Sequence, residues 1–250
     1  GGGKTTVEVS ARLADVVDGA RVTVALVRDV EARVNAERRL LRMNQQLRAA
    51  AAIGAVIMRE EDESRLVDQA LSIAVSSGTV VVAALATQGA DGVRWFARKA
   101  REGGAWACED LPTQLVEEAF STGRDAIRHD HSEPGAADWE RRCARAGLHA
   151  SGAMPVLVAG RVWGVVQIFT NEPGVFDAET VTLLTSILRD VGMAIESMAE
   201  RRARRELEAT LKALFETGPV GIAVLDVENR LVDANAEFLR ILGLERSAIG

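Results

Sequence analysis

The sequence lacks several features that would assign it to a familiar functional class. It has no tyrosine, only four tryptophans and six phenylalanines, and only two cysteines, Cys108 and Cys143, which are not in CxxC spacing. Two isolated cysteines cannot form a disulfide framework or a thiolate zinc site without ligands from elsewhere. Few aromatic side chains are available to stack on single-stranded nucleic acid. We expect both cysteines to be small buried residues in a reducing compartment.

Long apolar runs and an excess of positive charge are also missing. No run approaches the roughly 18 apolar residues of a membrane-spanning helix, and the N-terminus does not have the pattern of a signal peptide. The 30 Lys and Arg residues against 36 Asp and Glu residues give a net charge of −6, which argues against a nucleic-acid partner. We therefore expect a cytoplasmic segment without direct membrane insertion.

The 250 residues have room for one large domain or two ordinary ones. The chain starts without a methionine and stops just after a helix-like stretch, so we expect an excerpt from a longer protein. Residues 5–30 alternate between apolar and polar types around a turn signal at Asp18-Gly19. This pattern predicts a β-hairpin that is too small to be a complete domain.

Residues 31–58 are rich in helix formers and contain no proline, which predicts a helix. A seam with 4,3,4,3,4 spacing follows this helix and could pair with a second copy of the chain. Its members are Leu40, Asn44, Leu47, Ala51, Gly54 and Met58.

The next 140 or so residues read as one domain of mixed strands and helices. The apolar run at residues 80–86 predicts a central strand covered on both faces, and Ala159-Gly160 predicts the turn of an antiparallel hairpin. We expect strands at residues 80–86, 93–98, 126–128, 151–158 and 162–169. We expect helices that begin at Asp62, Asp110, Trp139 and Asp177, with Phe176 and Val181 forming a hydrophobic staple around the last start.

The last of these helices has a second coiled-coil seam, at 4,3,4,3 spacing. The seam consists of Leu184, Leu188, Val191, Ile195 and Met198. It fails at residues 200–206, where charged residues predominate, and resumes out of phase at Leu207, Leu211 and Leu214. From Phe215 onward a strand, a turn, a second strand and a helix indicate the start of another domain.

The middle of the chain contains an ordered set of motifs: Asp138-Trp139-Glu140, residues 147–151, Met154-Pro155-Val156, the Trp-Gly strand at residues 160–166 and the Phe176-Asp177 cap. Through this set it resembles a GAF domain. Residues 215–250 resemble the start of a PAS domain, through Gly218-Pro219-Val220-Gly221-Ile222 and Asp233-Ala234-Asn235-Ala236. The first 30 residues resemble the end of another PAS domain.

These resemblances imply an α+β fold: a GAF-like antiparallel sheet with helices on its faces, long helical linkers and partial PAS domains at both ends. The expected domains are a PAS end at 1–30, a helical linker at 31–58, the GAF domain at 59–198, a second linker at 199–214 and a PAS start at 215–250. Arrays of this kind imply a sensory segment of a bacterial signalling protein. Its output would be either a GGDEF/EAL pair, which makes or degrades cyclic di-GMP, or a histidine kinase. The linker at residues 37–44 resembles linkers of the GGDEF/EAL class and favours that output.

Aromatic side chains are the candidate lining of a ligand pocket between the sheet and its helices. The set is Trp95, Phe96, Trp106, Trp139 and Trp163, and core packing is the simpler interpretation of it. Some GAF domains attach a bilin through a cysteine or bind haem through a histidine, which draws attention to Cys143 and His149. Ala144 directly follows Cys143, whereas the bilin-type cysteine is commonly followed by histidine, so the sequence requires no cofactor.

No catalytic constellation is present, because the carboxylates are dispersed and none pairs with a nucleophile or base. His129, Asp130, His131 and Glu133 offer metal donors, but we interpret them as a solvated loop. We expect a non-enzymatic segment that forms a homodimer, with a possible small-molecule ligand, and that relays a signal through its long helices. A spacer that binds nothing is the remaining alternative.

Overall fold

The computed structural model describes residues 7–15, 21–29, 31–101 and 111–248. The chain divides into two compact units, with the boundary between Gly192 and Met193. The first unit has strands and helices in an α+β arrangement, as predicted. Its elements are β1 (Val7–Asp15), β2 (Arg21–Asp29), α1 (Glu31–Arg59), α2 (Glu63–Ser76), β3 (Val80–Gly89), β4 (Gly92–Ala100), α3 (Gln114–Thr122), β5 (Ala126–Arg128), α4 (Asp138–Arg145), β6 (Ala150–Val158) and β7 (Arg161–Thr170). Helix α5 (Ala178–Thr217) starts in this unit and ends in the next.

Strands β3 to β7 form one antiparallel sheet in the order β4-β3-β7-β6-β5. Successive side chains of a strand point to opposite faces, so in β7 Val165 and Phe169 join the core with α3 and α4, whereas Ile168 faces α1 and α5. Residues 82–86 of β3 are all buried, which confirms the predicted strand covered on both sides.

Local signals placed several element ends correctly. Asp62 accepts a hydrogen bond from the Arg65 backbone N–H, and Asp177 accepts one from that of Thr180, as expected for N-cap residues. Ala159 and Gly160 both have positive φ, the geometry of a tight hairpin turn. Strands β1 and β2 pair as the predicted hairpin, while its turn at Asp18-Gly19 lies outside the described residues.

The predicted start of one helix was wrong. Helix α3 begins at Gln114 instead of Asp110, with Thr113 as its N-cap residue. Residues 111–113 are non-helical, and the Pro112 carbonyl accepts a hydrogen bond from the Gln167 side chain, 3.1 Å away. A contact with a distant strand thus sets the boundary.

The second unit contains the rest of α5, strands β8 (Ala223–Leu225) and β9 (Leu231–Ala234), helix α6 (Ala236–Leu242) and a 3-10 turn at Arg246–Ala248. Strands β8 and β9 are antiparallel. Asn235 is the N-cap of α6 and accepts a hydrogen bond from the Phe238 backbone N–H. The strand, turn, strand and helix predicted after Phe215 are therefore present.

Two helical glycines differ in the space around them. A Cβ at Gly192 would overlap the backbone carbonyl oxygen of Leu157 in β6, whereas a Cβ at Gly54 would meet nothing within 4 Å. We expect Gly192→Ala to lower the free energy of unfolding by about 2 kcal/mol or more, because α5 must move away from β6. Gly54→Ala, the matched control, should raise it by about 0.5–1 kcal/mol through lower backbone entropy of the unfolded chain. Urea unfolding at low protein concentration measures both; equal effects would contradict the close contact.

Candidate functional site

The sheet separates the aromatic side chains predicted to line a pocket. Trp139 is buried in the core beneath α3 and α4, and Trp95 packs against the same core. Phe96 follows Trp95 directly and so faces the other side of β4, where its ring meets that of Trp163 at 5.9 Å in an edge-to-face contact. Trp106 lies outside the described residues. Among the described residues, Trp95 and Trp139 therefore lie on one side of the sheet and Phe96 and Trp163 on the other, and a ligand pocket lined by some of these aromatic residues stays a prediction.

His131 lies in the segment between β5 and α4, beside the start of β6. It is fully buried, and its ring contacts Trp139 and Phe169 edge to face. Its Nδ1 is 2.9 Å from the Leu148 carbonyl oxygen, and its Nε2 is 2.9 Å from the Ser151 hydroxyl. The interpretation of this region as a solvated loop was wrong for His131, although His129 is exposed.

The hydrogen bonds of His131 fit a neutral ring. A carbonyl oxygen can only accept, so Nδ1 carries the proton, and Nε2 accepts from Ser151. Burial lowers the pKa of His131, because the charged form loses its hydration. The hydrogen bond to Leu148 and the carboxylates of Glu140 and Asp130 oppose this shift only in part, and His149 adds to it.

Gln167 is a second buried polar residue on the same side of the sheet. Its Nε2 donates to the Pro112 carbonyl, while its Oε1 has no hydrogen-bond partner in the part of the chain that the structure describes. Ala84 and Ala153 are its neighbours on the adjacent strands. Because Pro112 offers only an acceptor there, the amide orientation is fixed, and a buried acceptor remains free.

Cys143 is fully buried in the core, as predicted. Burial raises the pKa of its thiol to about 11, because the thiolate loses its hydration. The thiolate is the reactive form, so Cys143 has the character of a structural residue. Cys108 lies outside the described residues.

Clusters of metal ligands are absent from the described ranges, and the apolar cavity between α1 and the sheet is small. No group of three His, Cys, Asp or Glu side chains could hold a metal ion there. An apolar cavity of about 60 Å³ lies between α1, α2, α5 and the sheet, well below the roughly 300 Å³ of a typical ligand pocket. None of the described helices is long and apolar enough to cross a membrane.

The two predicted coiled-coil seams differ in exposure. Within the single chain Val191 and Ile195 are buried, and Leu184, Leu188 and Met198 are half-buried. The α1 seam is open: Leu40, Leu47 and Met58 are 68%, 54% and 87% exposed. Asn44 and Ala51 are also exposed, and Gly54 is half-buried.

Few local signals predict that His131 and Gln167 are buried polar residues. His131 stands among charged and small residues, which is typical of a loop. Gln167 does interrupt an apolar strand, Val165-Val166-Gln167-Ile168-Phe169, and a polar residue in such a run is a usable signal of a buried hydrogen bond.

The buried histidine makes stability depend on pH. His131 has a folded pKa below the unfolded value of 6.5, so its contribution is complete above about pH 6.5 and is lost as the pH falls further. We expect the free energy of unfolding to fall between pH 7.5 and 5.5, by at most about 1.4 kcal/mol per pH unit. The pKa of Asp177 is also lowered, by hydrogen bonds from Thr180 and the charges of Arg39 and Arg42 against the opposing effect of partial burial, but it acts at more acidic pH.

Urea titrations across this range test the expectation. His131→Gln should be less stable but should have a flatter pH dependence, and His129→Asn, at an exposed position, should keep the wild-type dependence. A variant that lacks His131 and retains the wild-type slope would contradict this role.

Comparison with solved structures identifies relatives of the fold. Free methionine-R-sulfoxide reductase from Neisseria meningitidis, in complex with its substrate, is 13% identical with a TM-score of 0.51, over 62% of this chain and 91% of that one. The phycocyanobilin-bound GAF domain of a cyanobacterial phytochrome is 14% identical with a TM-score of 0.51, over 62% of this chain and 96% of that domain. A phycoerythrobilin-bound GAF domain from a cyanobacterial phytochrome is 14% identical with a TM-score of 0.50, over 64% of this chain and 99% of that domain. At these identities the likeness shows the fold alone.

Family models agree with that fold. A PAS domain model matches residues 209–250, which include α6 and the two strands before it. No curated protein matches the chain. The GAF domain model matches residues 42–196, from the middle of α1 to the middle of α5. Because this match spans more than half of the 250 residues, the chain belongs to the GAF domain family.

Proposed function

We propose that this chain is a regulatory segment of a signalling protein. In this proposal the GAF domain pairs with a second copy through α1 and responds to a small ligand. Helix α5 relays the response to the PAS-like residues 209–250 and from there to an output domain. The output that we propose is cyclic di-GMP turnover by a GGDEF/EAL pair, on the resemblance of the linker at residues 37–44, with a histidine kinase as the other candidate. The segment itself has a sensory role instead of a catalytic one.

Helix α5 is the observation that carries this proposal. It is one uninterrupted helix of 40 residues, which begins beside the GAF sheet and ends at the PAS-like segment. Residues 199–214 are exposed, and ion pairs one helical turn apart support that stretch, at Arg202–Glu206 and Arg204–Glu208. A continuous helix can transmit a displacement along its length, whereas a break would absorb it.

The exposed α1 seam supports pairing with a second copy of the chain. Leu40, Leu47 and Gly54 occupy d positions of a heptad, and Asn44, Ala51 and Met58 occupy a positions. In a parallel pair each residue meets its own counterpart, so the seam complements itself. The Asn44 side chains of the two copies can then hydrogen bond to each other. A single asparagine at an a position is known to specify the register and the two-stranded state of a coiled coil.

The core side of the sheet is the part that we assign to ligand response. Gln167 Oε1 is a buried acceptor between Ala84 and Ala153 that has no partner among the described residues, and Trp95 and Trp139 border the same core. A ligand N–H or O–H that reached Gln167 would satisfy this acceptor, which otherwise costs about 1–3 kcal/mol.

Light scattering after size exclusion tests the pairing. The wild-type chain should be a concentration-dependent dimer. Leu47→Asp should be a folded monomer, because it places a charge in the seam at a position exposed in the single chain. Thr185→Asp, at an exposed position of α5 outside both seams, should remain a dimer. A wild-type monomer at high concentration, or a dimeric Leu47→Asp variant, would refute pairing through α1.

Calorimetric unfolding tests the relay without any ligand. If α5 couples the two units, the wild-type chain should unfold in one cooperative transition. Arg204→Pro should separate the transition of the PAS-like segment, since proline removes a helical hydrogen bond and clashes with the preceding turn, at a cost of about 3 kcal/mol. Arg204→Ala, which removes only the ion pair with Glu208, should keep one transition. Two transitions in the wild-type chain would overturn the relay.

A further inference from the structure

Asn235 is buried in a segment whose surface is otherwise largely exposed. Its exposed fraction is 0%, and it lies between the last residue of β9 and the first residue of α6. A buried amide costs free energy unless its hydrogen bonds are made. Its partners therefore show what the residue holds together.

The side chain of Asn235 uses its full hydrogen-bonding capacity. Oδ1 accepts from the backbone N–H groups of Ile222, at 2.8 Å, and Phe238, at 2.9 Å. Nδ2 donates to the backbone carbonyls of Phe215 and Val220, both at 2.8 Å. An asparagine amide has two donor hydrogens and two acceptor lone pairs, and all are occupied.

These four partners belong to different elements. Phe215 is in the last turn of α5, Val220 is in the turn that follows, Ile222 leads into β8 and Phe238 is in the first turn of α6. The last carbonyls of a helix have no partner within the helix, so Nδ2 supplies one to α5 from outside. One planar group thus joins the end of α5 to the strand and the helix that come after it.

Neighbouring residues are packed closely around this junction. A Cβ at Gly221 would come within 3.0 Å of the Phe238 Cα, so the segment that leads into β8 is in close contact with α6. Glu216 in α5 pairs with Arg246, at 2.7 Å. A displacement at the end of α5 must therefore either move β8 and α6 or break the bonds of Asn235.

We propose that Asn235 is the positioning residue that couples α5 to the PAS-like segment. Its two donors hold the end of α5, and its two acceptors hold β8 and α6. Its regulatory meaning rests on the proposed relay function. Aspartate keeps the acceptors and the N-cap but has no donor hydrogens when ionised, so Asn235→Asp breaks the connection to Phe215 and Val220 and places a carboxylate oxygen against their carbonyl oxygens.

A double-mutant cycle measured by hydrogen exchange of the full 250-residue chain separates coupling from simple stabilisation. In the wild-type background Arg204→Pro should speed exchange of the α6 amides by about tenfold, because the disturbance of α5 reaches α6. In the Asn235→Asp background the same proline should change α6 exchange less than twofold. Asn229→Asp, the same chemical change at an exposed turn residue, should leave the effect of the proline intact.

The outcomes distinguish this inference from the relay itself. If Arg204→Pro changes α6 exchange equally in both backgrounds, Asn235 is a structural residue only and the inference fails. If Arg204→Pro changes α6 exchange in neither background, the relay through α5 fails. Should Asn235→Asp unfold the segment by itself, Asn235→Ser replaces it in the cycle, since serine retains a good N-cap but cannot reach both carbonyls.

Discussion

The close contact of α5 with β6 at Gly192 constrains the first unit of this chain. Any side chain at Gly192 would overlap the Leu157 carbonyl oxygen, so the helix backbone lies directly on the strand backbone. Its neighbour Val191 is buried within the single chain, and Leu184 and Leu188 of the same seam are half-buried. This part of the α5 seam is thus largely used by the fold of a single chain.

The opposite side of the sheet is organised by buried polar groups as well as by apolar packing. His131 links the segment before α4 to Leu148 and Ser151 through both ring nitrogens, and its backbone N–H donates to the His149 carbonyl at 2.7 Å. Gln167 links β7 to the residues before α3. The residues just before α3 and α4 are therefore held by hydrogen bonds that require neutral, correctly oriented side chains. Such bonds fix one arrangement of the core more strictly than apolar contacts do.

The sequence was most informative where the signal is local. The Asp62 and Asp177 caps, the Ala159-Gly160 turn and the run of buried residues in β3 depend on neighbouring residues, and all were predicted. His131 was missed because its burial depends on Leu148 and Ser151, which are 17 and 20 residues away. The placement of the aromatic side chains on two sides of the sheet could be predicted in part, because the adjacent residues Trp95 and Phe96 must face opposite sides of one strand.

Periodicity alone could not tell the two apolar seams apart. Both α1 and α5 have 4,3 spacing, and the difference lies in exposure: the α5 seam residues are buried or half-buried within the single chain, whereas most of the α1 seam residues are exposed. Helix α1 is nevertheless connected to the start of α5 and to the segment before it, because Arg39 pairs with Glu179, Arg42 pairs with Glu172, and Gln46 donates to the Thr180 hydroxyl. These ion pairs are largely exposed, and exposed ion pairs hold their partners only weakly. If two copies pair along α1 as proposed, a change in that pairing can shift the start of α5 without unfolding either helix, as the proposed relay requires.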